Sequence, residues 1–185
     1  TAVGWKSMKA NTTGYLNVAV GQQAMLSNTT GYQNVSIGHN SSAANTTGYS
    51  NVAVGDNALA ANTTGVVNTA VGQNALDANT TGDYNCGFGQ CMIGLTSGSR
   101  NTAMGMNAGN DITTGLYNVV IGMSTETSGN GSSQIVIGYG VTGTGDSNFT
   151  FGGGSTDSNI AFGTTNITAA SDIRLKEDIQ DEEVG

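Results

Sequence analysis

The sequence predicts an all-β protein: a parallel β-solenoid, or β-roll, of about eleven coils with 17-residue repeats that tighten toward the C-terminus. Three observations lead to this fold class. A glycine recurs at a nearly constant interval, large and small side chains alternate in front of it, and the motif NTTG returns, as in NTTGYLNVAVG from Asn11 to Gly21. Self-similarity at a short period is the signature of stacked repeats, and alternation at period two is that of a β-strand.

The interval is set by a marker glycine that closes each apolar triplet. Successive markers are 17 residues apart five times, and then 16, 17, 16, 14 and 11 residues apart. We therefore assign residues 1–165 to one solenoid shaft, and residues 166–185 to a linker and the beginning of a C-terminal segment. The markers are Gly4, Gly21, Gly38, Gly55, Gly72, Gly89, Gly105, Gly122, Gly138, Gly152 and Gly163.

In front of each marker stands a triplet of the form large, small, large, as in Val18, Ala19 and Val20. β-branched residues dominate the large positions, which favours a strand over a helix. We expect the large side chains to fill the core of the coil. The small side chains would then point to the opposite face, where a second chain can approach closely. This small column contains Ala19, Ser36, Ala53, Ala70, Ala103, Val120 and Val136.

The remainder of each repeat holds a second, weaker apolar patch, such as residues 24–26, followed by the NTTG turn. The patch predicts a second strand that faces the first across the coil. In the turn, a glycine such as Gly14 can supply a positive φ, and the asparagine can form a local side-chain turn. Two strands and two turns would complete one flattened coil.

An asparagine stands directly before the strand in each repeat. Identical amides one coil apart can form a hydrogen-bonded ladder along the solenoid axis. Because the same residue recurs in every coil, we interpret this column as structural and not as a catalytic or metal-binding set. The ladder contains Asn17, Asn34, Asn51, Asn68, Asn85, Asn101 and Asn118.

A coil of this length encloses only a thin core, and this suggests that one chain is not sufficient. The small column allows another sheet to approach. We therefore expect a homotrimer, intertwined or side by side, whose three-fold axis lies against that column and closes a shared core.

The composition excludes several classes of function. The formal net charge is −8 and only 10% of residues are charged, so the chain has no electrostatic footprint for nucleic acid. No run of 18 or more apolar residues is present, so we expect no membrane insertion. No Ser/His/Asp set, paired carboxylates or metal-ligand spacing emerges. We predict that the shaft is not an enzyme and needs no cofactor or metal.

The two cysteines, Cys86 and Cys91, lie close together in NCGFGQC. Their spacing is not that of a metal site, because no further cysteine or histidine lies nearby. Two interpretations stay open: a disulfide, or two small side chains in the core or at its edge.

The motifs NVAVG and NVSIG resemble the N-S-V-A-I-G repeats in the head of trimeric autotransporter adhesins. That resemblance implies a left-handed parallel β-roll that trimerises side by side. The 17-residue period is longer than the usual period of that family.

The segment SDIRLKEDI, Ser171 to Ile179, resembles the opening of the endosialidase-type intramolecular chaperone at the C-terminus of phage tailspikes and tail fibres. The resemblance implies self-cleavage between Ala170 and Ser171, with Asp172 at the junction, if the chaperone domain follows. The residues themselves predict a short helical start, because Ser171 can cap a helix on which Leu175 and Ile179 share a face. An ordinary solvated acidic helix is the alternative.

These features predict a structural and receptor-contacting shaft of a trimeric phage tail fibre or tailspike, located in the virion. Its partner would be a host-cell surface receptor, either a glycan or a surface protein. A bacterial cell-surface trimeric adhesin is the alternative. An ice-binding solenoid is a third candidate, based on the threonine column of Thr12, Thr29, Thr46, Thr63 and Thr80.

Overall fold

The computed structural model describes residues 1–153 and 157–163, and these form a single eleven-stranded sheet. The strands follow one another in the sheet in chain order, so each coil contributes one strand beside that of the preceding coil. The described residues contain no helix. An all-β parallel solenoid with repeats of about 17 residues is therefore confirmed. The strands are β1 (Ala2–Val3), β2 (Val18–Val20), β3 (Val35–Ile37), β4 (Val52–Val54), β5 (Thr69–Val71), β6 (Cys86–Phe88), β7 (Thr102–Met104), β8 (Val119–Ile121), β9 (Ile135–Tyr139), β10 (Asn148–Gly153) and β11 (Ser158–Ala161).

The strands pair in the register that the repeat dictates. Val18 lies opposite Val35 and Val20 opposite Ile37, and the same correspondence continues from strand to strand. Nine consecutive strand pairs, from β1 to β10, are parallel. Each sequence column therefore becomes a straight line of equivalent side chains along the solenoid axis.

The last repeat departs from the predicted series of about eleven coils. Strand β11 pairs with β10 in the antiparallel direction, with Asn148 opposite Ala161 and Phe151 opposite Ser158. The prediction of a further parallel coil here is wrong. Only residues 154–157 connect the two strands, and a parallel connection needs a crossover of about a dozen residues or more, whereas an antiparallel hairpin needs very few.

The two faces of the sheet are the reverse of those predicted. The seven small-column residues have exposed fractions of 0% inside the single chain, whereas large residues such as Ile37 and Met104 are 41% and 47% exposed. The prediction that the small column faces a neighbouring subunit is therefore wrong. The opposite wall of each coil already fills the interior with side chains such as Met25, Leu59 and Leu76, so the strand has room there only for a small residue. The buried small residues are Ala19, Ser36, Ala53, Ala70, Ala103, Val120 and Val136.

That opposite wall is a run of turns and not the predicted second strand. In the second repeat, Gln23 and Met25 have positive φ angles of 59° and 51°. Their backbone groups still bond from coil to coil: the Met25 N–H donates to the carbonyl of Ser41 at 2.9 Å, and the Ser27 N–H donates to that of Ala43 at 3.0 Å. Each full coil is therefore held by inter-coil hydrogen bonds on both walls.

The glycines of the two motifs serve different purposes. The marker Gly21 has a φ of 135°, a conformation that other residues rarely adopt. Gly31, in the NTTG turn, has no positive φ, so the prediction for this column is wrong. A Cβ atom at Gly31 would collide with the carbonyl oxygen of Gly48 and the side-chain oxygen of Asn28. Close approach between coils, and not backbone conformation, therefore requires the NTTG glycine.

Candidate functional surfaces

The asparagines before the strands form a continuous ladder inside the chain, with exposed fractions of 4% or less. The side-chain oxygen of Asn17 accepts a hydrogen bond from the backbone N–H of Asn34 at 2.9 Å. The side-chain amide of Asn34 donates to the carbonyl of Gly48, in the next coil, at 2.9 Å. Each asparagine thus ties its own coil to the following one. The pattern joins Asn17, Asn34, Asn51, Asn68, Asn85, Asn101 and Asn118.

A second asparagine ladder, formed by the NTTG motifs, is absent from the sequence interpretation, which described only a local turn. The side-chain amide of Asn45 donates to the side-chain oxygen of Asn28 at 2.8 Å and to the carbonyl of Gly48 at 3.1 Å. The carbonyl of Gly48 therefore accepts from both ladders, since Asn34 also donates to it. The available signal was the fixed spacing between the two asparagine columns, because Asn34 stands 14 residues and Asn45 three residues before Gly48, the glycine whose carbonyl both bond. The second ladder contains Asn11, Asn28, Asn45, Asn62 and Asn79.

The threonines of the NTTG motif use their hydroxyl hydrogens within the protein. The hydroxyl of Thr12 donates to the carbonyl of Thr29 at 2.9 Å, and that of Thr29 donates to the carbonyl of Thr46 at 3.0 Å. The same bond recurs at Thr46, Thr63 and Thr80. The threonine column is thus a third line of inter-coil bonds, and its hydroxyls offer surrounding water only acceptor capacity.

The outer face of the sheet, defined here as the two residues that flank the small column in each of the strands β2 to β9, is a half-exposed strip without a charged residue. Ile37, Phe88 and Met104 are 41%, 39% and 47% exposed. A contiguous apolar surface on a polar protein is typical of an interaction site. The strip contains Val18, Val20, Val35, Ile37, Val52, Val54, Thr69, Val71, Cys86, Phe88, Thr102, Met104, Val119, Ile121, Ile135 and Ile137.

Aromatic side chains stack in the columns before the first asparagine ladder. The rings of Tyr15, Tyr32 and Tyr49 are nearly parallel, with centroids 5.1 Å and 4.8 Å apart. Farther along, the guanidinium carbon of Arg100 lies 5.3 Å from the ring centroid of Tyr84 and 5.4 Å from that of Tyr117. The stacked rings and the cation–π contacts are therefore further contacts between coils.

The two cysteines are free thiols on different sides of the sheet. Cys86 belongs to the outer face and is half-buried, whereas Cys91 lies in the core. Burial, followed by the proximity of Cys86, raises the pKa of the Cys91 thiol to about 12. Burial also raises the pKa of Cys86. A thiol with a raised pKa is a poor nucleophile at neutral pH.

Within residues 1–153 and 157–163 there is no pocket, and no group of three His, Cys, Asp or Glu side chains that could hold a metal ion. The same residues contain no helix that is long and apolar enough to cross a membrane. The predicted cleavage junction at Ala170, Ser171 and Asp172, the helical start and the boundary at residue 165 lie outside the described residues.

No protein-family model matches the chain, and comparisons with curated proteins and with solved structures found no match.

Proposed function

We propose that the chain is the structural, receptor-contacting shaft of a homotrimeric phage tail fibre or tailspike. The observation that carries this proposal is the outer face, an uncharged strip that follows the sheet across strands β2 to β9. Three such strips, packed around one axis, would remove their Val, Ile, Phe and Met side chains from water.

A second copy of the same chain is the occupant that fits the strip best. The strip repeats at the spacing between strands, and another copy carries the same repeat over the same length. Two aligned copies therefore place apolar side chains against each other at every coil. A partner without this period would match the strip only over a short stretch.

Stacks of near-identical coils also create a problem of alignment. A slip by one repeat leaves every large side chain on the outer face, so hydrophobic pattern alone distinguishes neighbouring alignments poorly. A chaperone that sets three chains in register answers this need. The resemblance of residues 171–179 to such a chaperone favours the phage fibre over a bacterial surface adhesin, for which a membrane anchor would follow.

The mass of the purified chain in solution tests the trimer. We expect light scattering after size-exclusion chromatography to give three times the chain mass of 18.6 kDa. The Val54→Glu substitution places a charge on the outer face and should yield monomers. Gln73→Glu adds the same charge at an exposed turn residue and should leave the trimer intact. A monomeric parent chain would contradict the proposal.

Location distinguishes the phage fibre from the adhesin. Antibodies raised against the shaft should label the tails of virions in immunogold electron microscopy. Labelling of the bacterial envelope in cells that carry no phage genes would support the adhesin instead. Binding of the fluorescently labelled trimer to host cells, and its competition with virion adsorption, tests the receptor contact separately from assembly.

A further inference from the structure

The coil that begins at strand β3, residues 35–51, has a more polar interior than the coils on either side of it. Serines stand at three inward positions, Ser36, Ser41 and Ser42. The preceding coil has Ala19, Ala24 and Met25 at these positions, and these three form one apolar cluster. The following coil has Ala53, Ala58 and Leu59, which belong to the second cluster. The β3 coil therefore divides the apolar core of the solenoid in two.

Two of the three serine hydroxyls have no partner in the protein. The hydroxyl of Ser41 donates to the carbonyl of Gly38 at 3.1 Å. The hydroxyls of Ser36 and Ser42 are buried and make no hydrogen bond, and the residues are 0% and 2% exposed. A buried hydroxyl without a partner is costly, so such groups usually bind protein atoms or ordered water.

Ser42 is also much smaller than the residues at the equivalent position in other coils, which are Met25, Leu59, Leu76 and Met92. In two other coils, a glycine replaces a larger core residue, and a second side chain fills the space that the larger residue would occupy.

In the first case, Gly87 takes the place of an alanine in strand β6. A Cβ atom there would lie 2.9 Å from the sulfur of Cys91, which fills that space. In the second, Gly109 stands in the column of Ser42, and a Cβ atom would lie 3.1 Å from the terminal methyl of Ile112. Ile112 replaces an asparagine of the second ladder and thus supplies the missing apolar volume.

No such replacement accompanies Ser42. Asn45, the counterpart of Ile112 in this coil, remains in the second ladder and donates to Asn28 and Gly48. Hydrogen bonds also fix the distance of this coil from the next coil, so the backbone cannot move inward to make up for the smaller side chain. The Val35 N–H donates to the carbonyl of Asn51 at 2.8 Å, and the Ser42 N–H donates to that of Ala58 at 2.9 Å.

We propose that the β3 coil encloses an internal site for about one or two water molecules, bound by the hydroxyls of Ser36 and Ser42. Each hydroxyl can donate one hydrogen bond and accept others. The two hydroxyls can therefore both donate to a water molecule and accept from it. The site separates the two apolar clusters and lies in a coil whose interior is more polar than that of the coils on either side.

Alanine substitutions distinguish a hydrated site from a dry one. If water bridges the two hydroxyls, Ser36→Ala removes one of its partners and lowers the melting temperature by about 2–4 °C at fixed protein concentration. If the site is dry, the same change removes an unsatisfied hydroxyl and raises the melting temperature. Ser36→Ala is well suited to this test, because alanine is already the native residue at this position in neighbouring coils.

The double substitution of Ser36 and Ser42 by alanine completes the test. A shared water molecule makes the effects of the two changes non-additive, because the first substitution already weakens its binding. Additive effects that both raise the melting temperature would overturn the proposal. Ser41→Ala serves as the control for loss of a hydroxyl that bonds to the backbone.

A crystal structure of the full chain provides the direct observation. We expect electron density for water within hydrogen-bond distance of both Ser36 Oγ and Ser42 Oγ. Absence of density, or rotation of both hydroxyls onto backbone carbonyls, would overturn the proposal.

Discussion

After Asn79, the next position of the second asparagine ladder is Leu95, whose side chain has no hydrogen to donate to the side-chain oxygen of Asn79. At every earlier step, the oxygen accepts from the following asparagine, as that of Asn62 does from Asn79 at 3.0 Å. The oxygen of Asn79 is buried without a protein partner. The ladder therefore ends at an unsatisfied acceptor, and the column continues as the apolar residues Leu95 and Ile112.

This ending predicts unequal effects of the same substitution along the ladder. Asn62→Ala removes an oxygen that accepts a bond and leaves the oxygen of Asn45 without its donor. Asn79→Ala also leaves an oxygen without its donor, in this case the side-chain oxygen of Asn62. However, it removes the buried side-chain oxygen of Asn79, which has no protein partner, at the same time. We expect Asn62→Ala to reduce the free energy of unfolding by about 1–3 kcal/mol more than Asn79→Ala. Denaturant unfolding of the two variants measures the difference, and equal losses would contradict it.

The period and the strands could be predicted from the sequence, whereas the orientation of the sheet could not be predicted from the strand alone. Alternation of Val18, Ala19 and Val20 indicates that the two faces differ, but it does not indicate which face is inside. The orientation depends on the opposite wall, where Met25 and its equivalents already occupy the narrow interior. The orientation of the sheet is therefore decided by the volume of the side chains on the opposite wall, which the sequence pattern indicates only as a weak second strand.

The backbone conformation of the opposite wall also could not be predicted from the sequence. Met25 and Leu59 adopt left-handed φ angles of 51° and 53°, which their residue types disfavour. Stacking imposes these angles, because each N–H must reach the carbonyl of the next coil while the side chain points inward. For the first asparagine ladder, recurrence of one residue type was sufficient to suggest stacking. For the second ladder, a local side-chain turn is sufficient to explain the recurrence of asparagine, so the sequence alone does not predict the hydrogen bonds between coils.

Filling the β3 coil should stabilise the shaft. Ser42→Leu, combined with Ser36→Ala so that no buried hydroxyl is left without a partner, reproduces the residues of the Leu59 coil at these two positions and joins the two apolar clusters. We expect the free energy of unfolding to rise by about 1–2 kcal/mol. Gly109→Leu, in the same column, should instead destabilise, because a Cβ atom there would already lie 3.1 Å from the terminal methyl of Ile112, which occupies the space. Thermal and denaturant unfolding of both variants measure whether the free energy of unfolding rises or falls in each. Stabilisation by Gly109→Leu would refute the packing argument.

The cysteines should report on assembly. Cys91 is buried and its pKa is raised to about 12, so below that pH the thiol stays protonated and should not react with a thiol reagent in the folded chain. Cys86 lies on the outer face, so it should react in a monomer and be protected in a trimer. Because burial raises the pKa of Cys86, we expect the Val54→Glu monomer to be labelled slowly at pH 8, at one thiol per chain, and Cys86→Ser in that background to abolish labelling. Labelling of Cys86 in the parent trimer at the same rate as in the monomer would show that another surface forms the interface.

The NTTG glycines should be intolerant of any side chain. A Cβ atom at Gly48 would collide with the side-chain oxygen of Asn45 and lie 2.5 Å from the carbonyl oxygen of Gly65, and neither group can move without breaking bonds between coils. We expect Gly48→Ala to reduce the free energy of unfolding by at least about 2 kcal/mol. At Gly153, which has no positive φ, a Cβ atom would meet no atom of the described residues within 4 Å, so Gly153→Ala should be neutral. Thermal unfolding at matched concentration compares the pair. If Gly48→Ala proved as mild as Gly153→Ala, the coils would be able to move apart, and the conclusion that close approach between coils requires the NTTG glycine would be wrong.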